Sequence, residues 1–241
     1  MRLKAPVFDL DGTLVDTAPD LAAATNAVLT AEGRRAVGMD EIRAMVGQGA
    51  RRIIERGFAA TGSPLPPDRL EPLYKLFLAH YMGHIADESR LFPGVSELIA
   101  RCRRSGIALA VCTNKLEAMS VRLIAAMGLS QDFPVIIGPD TIGIAKPDAA
   151  PYLEACWRLG VEASETLMIG DSETDILTAR AAGVAVIAVS FGYTDRPVAS
   201  FSPDHIVDHF DEVWGLISAQ RWANSMPSIS GITMSDSSRS K

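Results

Sequence analysis

The chain has 241 residues, of which 48% are hydrophobic, and a formal net charge of −6 at pH 7. This provides for a large buried core, in one domain or in one domain with a smaller one attached. The acidic balance and the lack of long Lys or Arg runs exclude a typical nucleic-acid partner, and no uncharged apolar run approaches the roughly 20 residues of a membrane helix. We therefore expect a cytoplasmic protein that binds neither nucleic acid nor membrane, with its three widely spaced cysteines reduced.

The first predicted element is a short buried strand followed by two aspartates. Val7, Phe8 and Leu10 form its apolar run. Asp9 falls near the end of this run, and Asp11 follows two residues later. A carboxylate at this end of a strand in an open parallel sheet points into the crevice where ligands bind. Two carboxylates in one crevice need a positive partner, for which a hard divalent cation such as Mg²⁺ is the obvious candidate.

A long stretch after the first strand shows only helical spacing. Because no strand pattern intervenes, we predict that residues 18–88 form a helical cap domain, inserted into a core domain made of residues 1–17 and 89–223. Gly47 and Gly49 lie in this insert, where two glycines that open a helix let backbone N–H groups approach a small anion. Arg51 and Arg52 follow them and are candidate contacts for a substrate carboxylate, although an exposed helix face is the simpler explanation.

Beyond residue 89, apolar runs alternate with helical patterns. The runs at 107–112, 135–137, 166–169, 184–189 and 206–207 predict five further strands. Lys146-Pro147 is predicted to open one of the intervening helices, with an apolar face of Tyr152, Leu153, Cys156 and Trp157. The alternation predicts a Rossmann-like, three-layer α/β fold with a parallel sheet. The serine-rich segment 224–241 lacks apolar periodicity and is predicted to be a disordered tail.

Polar groups follow four of these strands, and in a parallel sheet all four strand ends face one crevice. The set is Asp9 with Asp11, Thr113 with Asn114, Lys146, and Asp171 with Asp175. It suits phosphoryl transfer, in which a nucleophile must approach a dianionic phosphate. In that reaction Asp9 attacks phosphorus to form an aspartyl-phosphate, and Asp11 moves the proton.

The other members of the set have supporting roles in the same hypothesis. Asp171 completes a metal site with Asp9, and Asp175 orients a water or the loop. Lys146 holds the nucleophile and the phosphate together. Thr113 and Asn114 bind phosphate oxygens. Taken singly, each of these residues also fits a helix cap or a turn, so the hypothesis depends on the set as a whole.

The four segments resemble those of the haloacid dehalogenase superfamily. The matching pieces are the Asp-x-Asp-Gly-Thr run from Asp9, a strand ending in Thr113-Asn114, the Lys146-Pro147 pair, and the Gly-Asp-Ser-x-x-Asp run that ends at Asp175. The resemblance covers roughly residues 5–220. It implies that Asp9 is the nucleophile and Asp11 the acid/base. It also implies Mg²⁺ bound by the Asp9 carboxylate, the Asp11 main-chain carbonyl and the Asp171 carboxylate, under a helical cap that opens and closes.

Within that superfamily the chain looks most like phosphoglycolate phosphatases. The matching segments are 46–50, 92–95, 113–115, 138–141 and 191–193. The resemblance implies a magnesium-dependent phosphatase of small phosphate monoesters, with 2-phosphoglycolate favoured, in a monomer or homodimer, and with Gly47 and Gly49 at the substrate. The alternatives are a sugar phosphomutase, another small-metabolite phosphatase or a pyrophosphatase. A non-catalytic metal- and phosphate-binding module is disfavoured because Asp9 and Asp11 are both present.

Overall fold

A central parallel sheet carries helices on both of its faces. The structure is a computed structural model that describes residues 2–194 and 196–219. The predicted tail, residues 224–241, lies outside the described residues. In chain order the strands of the described part are β1 (Ala5–Phe8), β2 (Val15–Asp16), β3 (Arg90–Leu91), β4 (Ala110–Cys112), β5 (Val135–Ile137), β6 (Thr166–Gly170), β7 (Ala185–Val189) and β8 (His205–Val207). The helices are α1 (Ala18–Ala31), α2 (Met39–Arg43), α3 (Ala50–Ala60), α4 (Pro67–Gly83), α5 (Val95–Arg104), α6 (Glu117–Ala126), α7 (Ala150–Leu159), α8 (Glu173–Ala182) and α9 (Phe210–Ser218).

Strand β1 lies in the middle of the sheet. The order among the described strands is β5-β4-β1-β6-β7-β8, and every neighbouring pair is parallel. Successive side chains of β1 point to opposite faces. Val7 packs in the cluster that holds α7 and α8, and Phe8 packs in the cluster that holds α5, α6 and α9. The predicted three-layer α/β fold is therefore confirmed.

The helices α1 to α4 lie between two very short strands. Strands β2 and β3 pair antiparallel, with Val15 opposite Leu91 and Asp16 opposite Arg90. The two ends of the helical insert therefore lie side by side in this antiparallel pair. The sequence did not predict this pair, because two residues are too few for a period-2 pattern. None of the described helices combines the length and the apolar character that crossing a bilayer would require.

Two details of the predicted elements are wrong. Helix α7 begins at Ala150 and not at Lys146, and the Asp148 carboxylate accepts a 2.8 Å hydrogen bond from the Ala150 N–H just ahead of it. Leu153 and Trp157 are exposed, Trp157 by 75%. Each follows a residue of the buried face, and one residue turns a helix by about 100°, which carries both side chains away from the sheet.

The predicted strand at 107–112 is also too long. Strand β4 contains only Ala110–Cys112. The N–H of Ile107 donates a 3.0 Å hydrogen bond to the carbonyl of Cys102, so it closes the end of α5 and is not part of the strand ladder. The apolar run begins at Ile107, ahead of the strand, where Ile107 and Ala108 are half-buried, and apolar character alone does not distinguish a strand from the segment that leads into it.

Candidate active site

Asp9 lies at the carboxyl end of the central strand. Its N–H donates a 2.8 Å hydrogen bond to Ile169 on β6, which continues the ladder and fixes the backbone where the side chain leaves the sheet. Gly12 then turns the chain with φ at +85°. A Cβ at this glycine would lie 2.5 Å from Asp171 Oδ2 and 2.8 Å from the Tyr193 ring. Only glycine therefore lets the β1 loop lie this close to the β6 loop.

Lys146 neutralises the buried carboxylates. Its Nζ lies 3.0 Å from Asp9 Oδ1 and 2.5 Å from Asp175 Oδ1, and all three side chains are buried. Burial raises the pKa of Asp9 to about 6, although the charge of Lys146 acts in the opposite direction. Burial alone would lower the pKa of Lys146, but the carboxylates of Asp175 and Asp9 raise it above its ordinary value. The lysine is therefore a fixed positive charge beside the proposed nucleophile.

Asp171 and Asp175 have different sets of partners. Asp171 accepts hydrogen bonds from Thr13 Oγ1 at 2.8 Å and from the Tyr193 N–H at 2.6 Å. Asp175 Oδ2 accepts from the N–H groups of Asp171 and Ser172 and from Ser172 Oγ, while its Oδ1 meets Lys146. Both carboxylate oxygens of Asp175 therefore already have partners, at the start of α8 and at Lys146. Burial, followed by the charges of Asp175 and Asp9, raises the pKa of Asp171 well above its ordinary value.

These carboxylates fit a hard divalent cation. One oxygen each of Asp9, Asp171 and Asp175 lies within 4.8 Å of the others, and all three residues are buried. Asp9 Oδ1 is buried and has no hydrogen bond of good geometry, even though Lys146 is near. Since Asp175 is already occupied by other donors, the carboxylates left for a metal are those of Asp9 and Asp171. Oxygen donors of this kind suit Mg²⁺.

Asp11 is bound by a lysine that the sequence analysis assigned no role. Lys115 Nζ donates to both oxygens of Asp11, at 2.8 and 2.9 Å, and Thr17 Oγ1 donates to Oδ1 at 2.8 Å. Lys115 is 7% exposed. It directly follows Thr113-Asn114, so its place at the end of β4 was the available signal.

Thr113 and Asn114 differ in what they offer to a phosphate. Thr113 Oγ1 accepts a hydrogen bond from the Lys115 N–H at 3.2 Å, which leaves its own O–H to donate. Asn114 Oδ1 accepts from the Lys146 N–H at 3.0 Å, and its Nδ2 faces the carbonyls of Lys146 and Gly47 at 3.2 and 3.3 Å. Asn114 therefore links the Lys146 segment to the cap helices, and its amide does not point freely into the crevice.

A cavity of about 470 Å³ lies between the sheet and the helices of the insert. Its core side includes Asp9, Asp11, Thr113, Asn114, Lys115 and Lys146, and its cap side includes Gly47, Gly49, Arg51 and Arg52. The structure thus brings most of the predicted set to one cavity. The two arginines already pair with cap carboxylates, Arg51 with Glu71 at 2.9 Å and Arg52 with Glu55 at 2.8 Å.

Comparison with known families agrees with this geometry. The model of the haloacid dehalogenase-like hydrolases matches residues 7–189, which include every residue of the predicted set. The chain belongs to the haloacid dehalogenase-like hydrolases. The resemblance inferred from the motifs is therefore confirmed.

Relatives place this haloacid dehalogenase-like chain among the phosphatases of the family. The phosphoglycolate phosphatase of Mesorhizobium japonicum is 49% identical over 205 residues, covering 85% of this chain and 90% of its own. The N-acetylmuramic acid 6-phosphate phosphatase of Pseudomonas aeruginosa is 40% identical over 212 residues, covering 87% and 92%. The crystal structure of a predicted phosphoglycolate phosphatase from Haemophilus somnus superposes with a TM-score of 0.84 at 30% identity, covering 90% and 98%.

Proposed function

We propose that this hydrolase is a magnesium-dependent phosphatase that converts 2-phosphoglycolate to glycolate and phosphate through an aspartyl-phosphate on Asp9. The observation that carries the proposal is the buried pair of Asp9 and Lys146, 3.0 Å apart, at the end of the central strand and open to the cavity. The ammonium offsets the charge of a phosphate that a carboxylate must approach. The curated relatives named phosphoglycolate phosphatase support the choice of substrate.

The chemistry divides into two displacements at phosphorus. In the first, an oxygen of Asp9 bonds to phosphorus as the ester oxygen leaves, and Asp11 gives that oxygen a proton. In the second, Asp11 takes a proton from water, the water oxygen bonds to phosphorus, and the bond to Asp9 breaks. Phosphate is released and Asp9 is regenerated. Lys146 stays beside the nucleophile throughout, and the Thr113 O–H is placed to donate to a phosphate oxygen.

The proposed metal ligands are the carboxylates of Asp9 and Asp171 and the main-chain carbonyl of Asp11. A bound Mg²⁺ would supply positive charge to the phosphoryl oxygens. Gly47 and Gly49, from the cap side of the cavity, would face the part of the substrate that leaves. The cap would exclude bulk water during the first displacement.

A larger phosphate ester is a second candidate substrate. The cavity of about 470 Å³ is roomier than a two-carbon acid and its phosphate require, and one relative is named for N-acetylmuramic acid 6-phosphate. The catalytic residues proposed above would act on either ester, because they contact only the phosphate and the ester oxygen.

A substrate panel tests the proposal. Phosphate release is measured with and without Mg²⁺ from phosphoglycolate, N-acetylmuramic acid 6-phosphate, glucose 1-phosphate and pyrophosphate. We expect magnesium-dependent release, fastest from phosphoglycolate. Asp9→Asn should lose at least ~1,000-fold in kcat with its fold intact by circular dichroism. Substantial turnover by that variant would contradict the nucleophile, and conversion of glucose 1-phosphate to its 6-isomer with little release would point to a phosphomutase.

A further inference from the structure

Four cationic side chains line the cavity, and they differ in their exposure and in the carboxylates with which they pair. Arg51 and Arg52 are about half exposed or more and pair with carboxylates of the cap, Arg51 with Glu71 on α4 and Arg52 with Glu55 on α3. Lys146 is buried between Asp9 and Asp175. Lys115 is buried against Asp11, on the side of the cavity that the acid/base occupies. Of the four, Lys115 is therefore the cation placed beside the leaving group.

Lys115 retains donor capacity after it has bound Asp11. An ammonium has three N–H donors, and two of them are directed to the two oxygens of Asp11. Among the described residues no third oxygen accepts a hydrogen bond of good geometry from this ammonium, and the Tyr81 side chain faces it, with the ring centroid 4.5 Å from Nζ. The Tyr81 hydroxyl is buried and likewise has no hydrogen bond of good geometry. The described residues of the protein therefore do not saturate the hydrogen-bonding groups of Lys115 and Tyr81.

The position of the leaving group follows from the position of Asp11. A general acid must lie within hydrogen-bonding reach of the ester oxygen that it protonates. In phosphoglycolate a single methylene group separates that oxygen from the carboxylate. A carboxylate so close to the Asp11 oxygens lies beside the ammonium that those same oxygens bind.

We propose that Lys115 is the specificity-determining residue of this site, and that its third N–H binds a negatively charged group on the leaving-group side of the substrate. This inference rests on the proposed function, and it assigns to Lys115 the recognition of the negative charge on the substrate. Before a substrate binds, the negative charge of Asp11 balances the positive charge of Lys115. An anionic leaving group gains a charge-assisted hydrogen bond there, whereas a neutral leaving group leaves an ammonium N–H unused in a buried site.

The test compares two esters of matched length. Phosphoglycolate carries the carboxylate, and 2-hydroxyethyl phosphate carries a neutral hydroxymethyl group in its place. The wild-type enzyme should prefer phosphoglycolate in kcat/KM by at least roughly 100-fold. Lys115→Gln keeps an N–H for Asp11 but loses the positive charge, and it should reduce this preference by roughly 30-fold or more.

Arg51→Gln is the matched control, because it removes one positive charge from the same cavity on the cap side. It should leave the preference between the two esters unchanged. If Lys115→Gln lowers kcat/KM equally for both esters, the variant has lost only the contact by which Lys115 positions Asp11. This result would overturn the inference. So would a loss of preference in Arg51→Gln with none in Lys115→Gln.

The same measurements separate this inference from the proposed function. If the wild-type enzyme hydrolyses neither ester with Mg²⁺, the proposed function fails. If it hydrolyses both at similar kcat/KM, phosphatase chemistry stands and selection by Lys115 is excluded. Thermal unfolding of Lys115→Gln shows whether the variant is folded, and Lys115→Met, which replaces the lysine stem as far as Cε, repeats the test without an amide.

Discussion

Asp175 lies beside the proposed metal ligands Asp9 and Asp171, yet both of its own oxygens already have partners. Its Oδ2 accepts three hydrogen bonds from Asp171 and Ser172, and its Oδ1 meets Lys146 at 2.5 Å. It therefore acts on Lys146 and on the start of α8, whereas each oxygen of Asp171 accepts only one hydrogen bond and keeps a lone pair for a cation. Burial without these donors would be costly for an ionised carboxylate.

This difference predicts unequal effects on metal binding. Asp175→Asn should weaken Mg²⁺ binding by roughly 10- to 100-fold, as changes to a supporting partner commonly do. Asp171→Asn should reduce binding further, because it removes a proposed ligand. Isothermal titration of Mg²⁺ into each folded variant measures both effects. Equal loss of affinity in the two variants would make Asp175 a ligand in its own right.

At the scale of elements, one of the contacts between the cap and the core is a glycine-containing loop that lies against Asn114. Gly47 accepts a 3.3 Å contact from Asn114 Nδ2, and a Cβ at Gly49 would lie 3.5 Å from the Asn114 carbonyl, an ordinary van der Waals distance. Gly49 directly precedes α3, with φ at +84°. The glycine is therefore required by its backbone conformation more than by lack of space.

Gly49→Ala should strain this loop by about 1–2 kcal/mol. We expect a raised KM for the substrate, because the N–H groups that open α3 would move, together with a fall in Tm of a few degrees. Gly128→Ala is the matched control, since Gly128 has φ at +75°, has nothing within 4 Å of its added Cβ and ends α6 away from the cavity lining. It should lower Tm similarly and leave KM unchanged. A raised KM in both variants would count against a local role for Gly49.

Tyr193 connects the short β2–β3 pair to Asp171, a proposed metal ligand. Its hydroxyl donates to Asp16 on β2 and accepts a 2.9 Å hydrogen bond from the Ala18 N–H, while its own N–H donates to Asp171. Asp16 in turn lies 3.3 Å from Arg43 of cap helix α2. Contacts therefore run without a break from a cap helix to a proposed metal ligand.

Tyr193→Phe removes the hydroxyl and leaves the Ala18 N–H at the start of α1 without its acceptor. The expected loss of stability is about 1–3 kcal/mol. Mg²⁺ affinity should change less than tenfold, because the backbone contact to Asp171 remains. Thermal unfolding and metal titration on one preparation give both values. An unchanged Tm would mean that water replaces the hydroxyl at no cost.

Across the whole molecule, the sequence correctly predicts the features that depend on residues close together in the chain. Asp9 and Asp171 follow buried strands, and the parallel topology then places their carboxylates within 4.8 Å of each other. The partnership of Lys115 with Asp11 joins residues 104 positions apart, so no local pattern indicates it. Trp157 was misassigned because helical periodicity locates an apolar face only to within about one residue.

The buried carboxylates also make the stability of the whole molecule depend on pH and Mg²⁺ together. Burial raises the pKa of Asp9 to about 6 in the folded protein, from an ordinary value of 3.8. Between these two values the folded state holds a proton that the unfolded state has lost. The free energy of unfolding of the metal-free protein should therefore fall as pH rises through this window, by an amount on the order of 3 kcal/mol. Asp9→Asn should remove the part of that dependence that Asp9 contributes, whereas Asp171, whose pKa is also raised, keeps its own contribution.

Mg²⁺ should offset this trend, because it competes with the same proton. A ligand group with a pKa of about 6 is mostly protonated at pH 5, so the affinity for Mg²⁺ should be roughly tenfold weaker at pH 5 than at pH 7.5. At 100 times its dissociation constant, the metal should stabilise the fold by about 2.7 kcal/mol. Urea unfolding at the two pH values, with and without Mg²⁺, measures all of these differences. Equal stabilisation by Mg²⁺ at a fixed concentration near the pH 7.5 dissociation constant would show that Asp9 does not bind the metal as a carboxylate.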